Sequence, residues 1–204
     1  MSLQTSTISV AAAVVVAVAA GAALHYFMSS TRESQVQSTN RSTVVVRIFR
    51  DLGDAAEAIA DLAAKTLSAE NLEVSSIEPM APTCTQDISN ATTTLLLFVV
   101  ECDKEGDSSC ARKLMRSLKA AQAPSLIGVQ VAVLALAKSV CAFSAASGGD
   151  DKFMGGHRLL KSLQAAGAEA ICKVGHAEVE VEEVEVSVIP WLKEVVSELK
   201  NREV

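Results

Sequence analysis

The side chains able to do chemistry fall into a few groups. Five cysteines, Cys84, Cys102, Cys110, Cys141 and Cys172, could supply redox, nucleophilic or metal-ligating sulfur. Their number is odd, their spacing shows no pairing, and most sit in apolar runs, which is how buried free thiols of a reducing compartment read. No Cys-x-x-Cys or His-x-x-x-His occurs, so the sequence offers no structural zinc site. Ser147, His157 and Asp150 contain the residue types of a hydrolase triad, but no Gly-x-Ser-x-Gly elbow accompanies them. Asp150 and Asp151 follow Gly148 and Gly149 and read as a flexible loop rather than a cation site. His157 follows Gly155 and Gly156 and reads as a solvated residue opening a helix. Residues 178–185 alternate Val with acid, a pattern of a solvated loop or edge strand, with partner docking as the functional alternative.

These groups must be held by regular elements, and the hydrophobic pattern supplies them. Residues 43–49, 93–100, 128–136 and 170–174 are β-type runs. The first three are nearly continuous Val, Leu, Ile and Ala, as in strands covered on both faces. Residues 72–77 alternate apolar with polar and suit an edge strand. Helical faces are marked by Ala55, Ile59, Leu62, Ala63 and Leu67; by Ala111, Leu114, Met115 and Leu118; and by Leu159, Leu160 and Leu163. A last face carries Val188, Trp191, Leu192, Val195, Val196 and Leu199. This alternation implies an α/β architecture with a doubly wound parallel sheet. Ligands of such sheets lie outside the carboxyl ends of the strands. The segments there are 50–55, 101–110 and 137–151, so a small molecule would meet these three loops.

The run VVVRIFRDLGDAAEAIADLAAKTL resembles the opening strand, phosphate loop and helix of flavodoxin-like domains. LLLFVVECDKEGDSSCARKLMRSL is similar to their third strand with its Tyr-Gly-Glu-Gly-Asp loop. KFMGGHRLLKSLQAAGAEAICKVG and IPWLKEVVSEL match the region after their Phe-Gly-Leu-Gly-Asn loop through the closing helix. The similarity covers about residues 44–199 and looks nearest to the FMN domains of diflavin reductases and the flavodoxin module of the tRNA wybutosine-synthesis enzyme. The resemblance implies five parallel strands in the order 2-1-3-4-5, an FMN cofactor and electron transfer to a protein redox partner or within a complex.

The residues that should hold FMN are largely replaced. The first loop corresponds to Arg50, Asp51, Leu52, Gly53, Asp54 and Ala55, of which only Gly53 keeps the family's residue. Asp51 and Asp54 would stand beside a phosphate dianion, and like charges about 4–5 Å apart cost about 3–4 kcal/mol at an effective dielectric near 20. Arg50 could offset part of this, and Asp54 could instead be the N-cap of the following helix. Where the family places a stacking ring, this chain has Asp103 beside Cys102, with Glu105, Gly106 and Asp107 persisting. The third loop reads Ala135, Leu136, Ala137 and Lys138, with Cys141 in place of a second aromatic and an extra stretch at 142–151. Phe143 is the ring left to cover a flavin. FMN binding is therefore expected to be weakened or lost, the alternative function being a flavin-free interaction or scaffold module.

Residues 8–27 are almost wholly apolar, and the first charged residue is Arg32. At about 1.5 Å per residue this run just spans a hydrocarbon core of roughly 30 Å. It reads as a membrane anchor (residues 1–28), followed by a Ser/Thr/Gln-rich tether (29–42) and one domain (43–204). A cleaved signal peptide is the competing reading, weakened by the lack of Lys or Arg before the apolar run. Positive charge at Arg32, Arg41 and Arg47 predicts a domain facing the cytosol from the endoplasmic reticulum or mitochondrial outer membrane. The sequons at Asn40 and Asn90 would then carry no glycan. The net charge of −6 lies wholly beyond the apolar run and argues against nucleic acid as a partner.

Overall fold

The computed structural model describes residues 44–81, 95–120, 126–138, 150–179 and 184–202. The expected span at 8–27, the tether, Asn40, Asn90, Cys84, Cys141, Phe143 and Ser147 lie outside the described residues. Among the described residues, no helix is long and apolar enough to cross a membrane.

The centre of the sheet follows from its two most apolar runs. β3 (Leu95–Cys102) is buried along its length except at Glu101, and β4 (Gln130–Ala137) except at Gln130. They pair in parallel, Leu95 with Gln130 through Cys102 with Ala137. β1 (Val45–Arg50) lies on the other side of β3, and β2 (Glu73–Pro79) pairs with β1 at the edge. The period of two in these strands sorts the core into two layers. Leu95, Leu97, Val99, Ala132, Leu134 and Leu136 face α1 (Asp54–Ala69) and α4 (Val184–Arg202). Leu96, Phe98, Val100, Val131, Val133 and Ala135 face α2 (Ser109–Ala120) and α3 (Met154–Ala165). The buried stripe of α1 is Ala56, Ile59, Ala60, Ala63 and Leu67; of the expected face, Ala55 and Leu62 are only half-buried. The expected face of α4 is buried throughout.

The fifth lane of the sheet departs from expectation. Instead of one strand at 170–174 there are two, β5 (Glu169–Ala170) and β6 (Gly175–Glu178), both running parallel to β4. Val131 pairs with Ala170 but Leu134 with Gly175, so two extra residues are accommodated between them. The order is therefore 2-1-3-4 followed by a split lane of β5 and β6, six strands among the described residues. The interruption has a packing cause. Ile171 drops into the core of the α1/α4 layer. The Lys173 carbonyl accepts the Trp191 indole N–H at 3.2 Å. A Cβ at Gly175 would stand 2.6 Å from the Trp191 ring. The strand steps aside to seat the indole.

On the other face, α3 sits close to β4 because both surfaces are small. A Cβ on Gly156 would come within 2.7 Å of the Ala135 Cβ, and one on Gly155 within 3.0 Å of the Ser108 amide nitrogen. Close packing of this glycine pair brings the amino end of α3 against the loop that follows β3. That contact fixes one wall of the cleft.

Candidate functional site: the cleft at the carboxyl edge

The carboxyl ends of β1, β3 and β4 open on a cavity of about 370 Å³ lined by Asp51, Gly53, Glu101, Cys102, Asp103, Lys104, Asp107, Ser109 and Lys138. The centre of its floor is Asp51, which is buried. Its Oδ1 accepts the Leu52 N–H at 2.9 Å, while Oδ2 accepts the Ser108 hydroxyl at 2.6 Å and the Glu101 N–H at 3.3 Å. Ser108 in turn accepts the Ala111 N–H at 3.1 Å and so caps α2. One carboxylate thus ties the end of β1 to the end of β3 and the start of α2. Asp51 is a structural staple rather than a charge aimed at a ligand.

The loop after β3 is held just as firmly. Asp103 Oδ1 accepts the N–H groups of Glu105 and Asp107 at 2.9 and 3.1 Å, the local turn that Asp forms readily. Gly106 takes φ +74°, a region that favours glycine, and its carbonyl accepts the Gly155 N–H at 2.7 Å. Asp107 accepts the Ser108 N–H at 2.9 Å and pairs with Arg158 at 3.2 Å and Arg112 at 3.5 Å. Where the resemblance would place a stacking ring, Asp103 is occupied in shaping this turn.

Glu101 and Gly53 set the character of the cleft. A Cβ on Gly53 would lie 1.9 Å from Glu101 Oε2, so the Glu101 carboxylate fills the space directly over that glycine. Glu101 Oε2 is buried with no hydrogen-bond partner among the described residues, and an unsatisfied buried acceptor costs about 1–3 kcal/mol. An orphan acceptor suits a donor or a cation. It does not suit a phosphate, which is itself an acceptor and anionic. The residues at the first loop therefore do not fit the phosphate of FMN.

The remaining expected site residues are distributed as follows. Arg50 pairs with Glu57 at 3.2 Å and donates to the Asp51 carbonyl at 3.1 Å, away from the cleft lining. Leu52 is 67% exposed. Asp54 is not the N-cap of α1; that position is Gly53, and no side chain caps the helix. Ala55 lies half-buried in the first turn, and Ala137 is buried at the end of β4. Cys102, Asp103 and Lys138 do line the cleft. Burial raises the Cys102 thiol to about 11 and also raises that of Cys110, so both are thiols near neutrality and poor nucleophiles. The sequence reading missed Glu101 and Ser108. Each left a signal: a lone acid at the carboxyl end of an apolar strand, and a Ser immediately before a helix.

His157 is not the solvated residue expected from the sequence. Its Nε2 lies 2.9 Å from the Nε2 of His176, and the Phe153 ring stacks on His176 at 4.2 Å. Lys152 and Glu178 form an ion pair nearby. At that distance the two ring nitrogens are within hydrogen-bond reach, with the direction set by the tautomers. Among the described residues, no group of three His, Cys, Asp or Glu could hold a metal ion. Of the alternating Val/acid segment, Glu178 ends β6, while Val184 and Glu185 begin α4.

No family model matches this sequence, and no curated protein matches it either. Solved structures do. A flavodoxin variant from Pseudomonas aeruginosa is 22% identical, covers 76% of this chain and 98% of its own, and superposes with a TM-score of 0.59. Flavodoxin 2 from Bacillus cereus is 17% identical over 75% of this chain and 97% of its own, with a TM-score of 0.59. A Fusobacterium nucleatum flavodoxin bound to flavin mononucleotide is 16% identical over 78% of this chain and 98% of its own, with a TM-score of 0.52. With the parallel sheet, its strand order and the cleft at its carboxyl edge, these neighbours show that the described residues between 44 and 202 adopt a flavodoxin-like fold.

Proposed function

We propose that this chain is a membrane-anchored flavodoxin-like module of the FMN-binding electron-transfer lineage in which FMN binding is weakened or lost, so that it works as an interaction module. The observation that carries this reading is the Glu101 carboxylate lying over Gly53. A bound phosphate would meet a buried, unpartnered carboxylate oxygen there, and like charges about 4 Å apart cost about 4 kcal/mol at an effective dielectric near 20. Asp103 and Asp107 add negative charge to the same cleft, against Lys104 and Lys138. The anchor at residues 8–27, the cytosolic orientation and the nearer kinship to diflavin reductases or the wybutosine-synthesis enzyme rest on the sequence patterns given above.

A second reading keeps FMN and electron transfer. It is favoured by the two lysines at the rim, by the retained turn at Asp103–Asp107, and by the FMN bound to the Fusobacterium neighbour. Titrating the chain with FMN while following flavin fluorescence separates the two. The proposal expects no quenching at micromolar protein and measurable binding once Glu101 is changed to Gln. Submicromolar binding by the unmodified chain would establish the second reading instead.

A further inference from the structure

The outer faces of α2 and α3 carry a charge pattern that the cleft does not explain. α2 presents Arg112, Lys113, Arg116 and Lys119 with no acidic residue, and α3 presents Arg158 and Lys161, again with none. Across the sheet, α1 carries Asp54, Glu57 and Asp61 against Lys65, and α4 carries Glu185, Glu194 and Glu198 against Lys193, Lys200 and Arg202. A chain with a net charge of −6 thus has, on one side of its sheet, two helices that carry cations and no acid. Arg112, Met115, Arg116, Lys119, Arg158 and Lys161 line a groove of about 400 Å³ between the two helices. Its five cations are exposed. Asp107 engages Arg112 and Arg158, while Arg116, Lys119 and Lys161 form no ion pair among the described residues.

We infer that this groove docks on the anionic headgroups of a lipid bilayer. Charge complementarity is the first argument. Each Lys or Arg near an anionic leaflet strengthens attachment about fivefold, and a face of five has no internal neutralisation to overcome beyond Asp107. The rest of the domain is acidic and is repelled by the same surface, so attraction and repulsion together select one orientation. Proximity is the second argument, and it rests on the anchor reading. An anchor at residues 8–27 would hold the domain beside a bilayer, at high local concentration of its headgroups. Neither helix carries an aromatic residue, so the groove lacks the stacking platform of a single-stranded nucleic-acid channel.

The test uses the full chain with vesicles of phosphatidylcholine alone or with about 30 mol% phosphatidylserine, a surface whose potential attracts basic faces. Lysine acylation rates are then read by mass spectrometry. The expected result is a fall of about fivefold or more at Lys119 and Lys161 on the serine-containing vesicles, no change at Lys65 and Lys193, and reversal at high salt. Arg116→Glu should remove most of the protection while leaving both reporter lysines in place. Equal rates on both vesicles would overturn the inference. So would protection by soluble polyglutamate with none by phosphatidylserine, which would assign the groove to an acidic protein. An alkaline carbonate wash reads the anchor separately. Protection of a washable chain supports the groove and refutes the anchor, whereas an unwashable chain without protection refutes the groove alone.

Discussion

Asp51→Ala is the substitution that best separates a structural staple from a leftover ligand contact. Truncation removes the acceptor of the Leu52, Glu101 and Ser108 donors together. Leu52 is exposed, so its N–H turns to water at little cost. The Ser108 hydroxyl is buried and donates to a charged oxygen at 2.6 Å, worth about 1.5–3 kcal/mol; the Glu101 N–H adds about 1 kcal/mol. Removing a buried charge offsets part of this, which leaves a loss of about 2–3 kcal/mol. For a domain of this size that corresponds to about 4–12 °C in Tm. Urea unfolding followed by fluorescence suits the measurement, because Trp191 is the chain's single tryptophan and is buried. Ser108→Ala and the double variant should show a coupling of about 1.5–2 kcal/mol, as expected for two ends of one charged hydrogen bond. If Asp51 were only a charge facing the cleft, its removal would be neutral or stabilising. A loss below about 1 kcal/mol on this scale would refute the staple.

Gly175→Ala would press a methyl group to 2.6 Å from the Trp191 ring; urea unfolding should show a loss of about 1–3 kcal/mol with a shifted emission maximum. Glu78 is held below the ordinary carboxylate range by the Ser76 hydrogen bond, with Arg47 contributing. A depressed folded value means this contribution is present above the unfolded value of about 4.3 and is lost as pH falls through the folded one. Glu78→Gln should therefore lower stability at pH 7 by at most about 1 kcal/mol and leave it unchanged near pH 2. Burial raises the thiols of Cys102 and Cys172 to about 11 and about 12. Alkylation of both at pH 8 should run on the order of a hundredfold slower in the native chain than in urea, residue by residue in a peptide map.

The sequence exposed the fold more fully than the site, and the reason is physical. The continuous apolar runs of β1, β3 and β4 can be accommodated only in the middle of a covered sheet, and the alternation of β2 only at an edge, where its residues are in turn exposed and half-buried. The split of the fifth lane was hidden because it depends on a distant side chain, Trp191, seated on Gly175. Site residues were hidden for a similar reason. Motif matching treated Asp51 as a charge presented to a ligand. Its actual direction is fixed by Ser108, whose position depends on where α2 begins. Glu101 fills the space over Gly53 only once β1 and β3 are adjacent. His157 could not be distinguished from a solvated residue until His176 was placed opposite it.

The amino ends of helices around the cleft are already answered from within the chain. The Gly155 N–H of α3 goes to the Gly106 carbonyl, and the Gly155 and Gly156 amides also meet the Cys102 sulfur. α2 is capped by Ser108, and the Glu101 carboxylate lies over the start of α1. Helix amino ends carry roughly half a positive charge each and are natural seats for anions. At α2 and α3 those donors meet a hydroxyl, a carbonyl and a sulfur of the chain itself, and at α1 a carboxylate stands over them. If FMN binding is lost as proposed, no term in flavin concentration enters the stability of this domain, and newly made chains reach the same end state whether the cell is rich or poor in flavin.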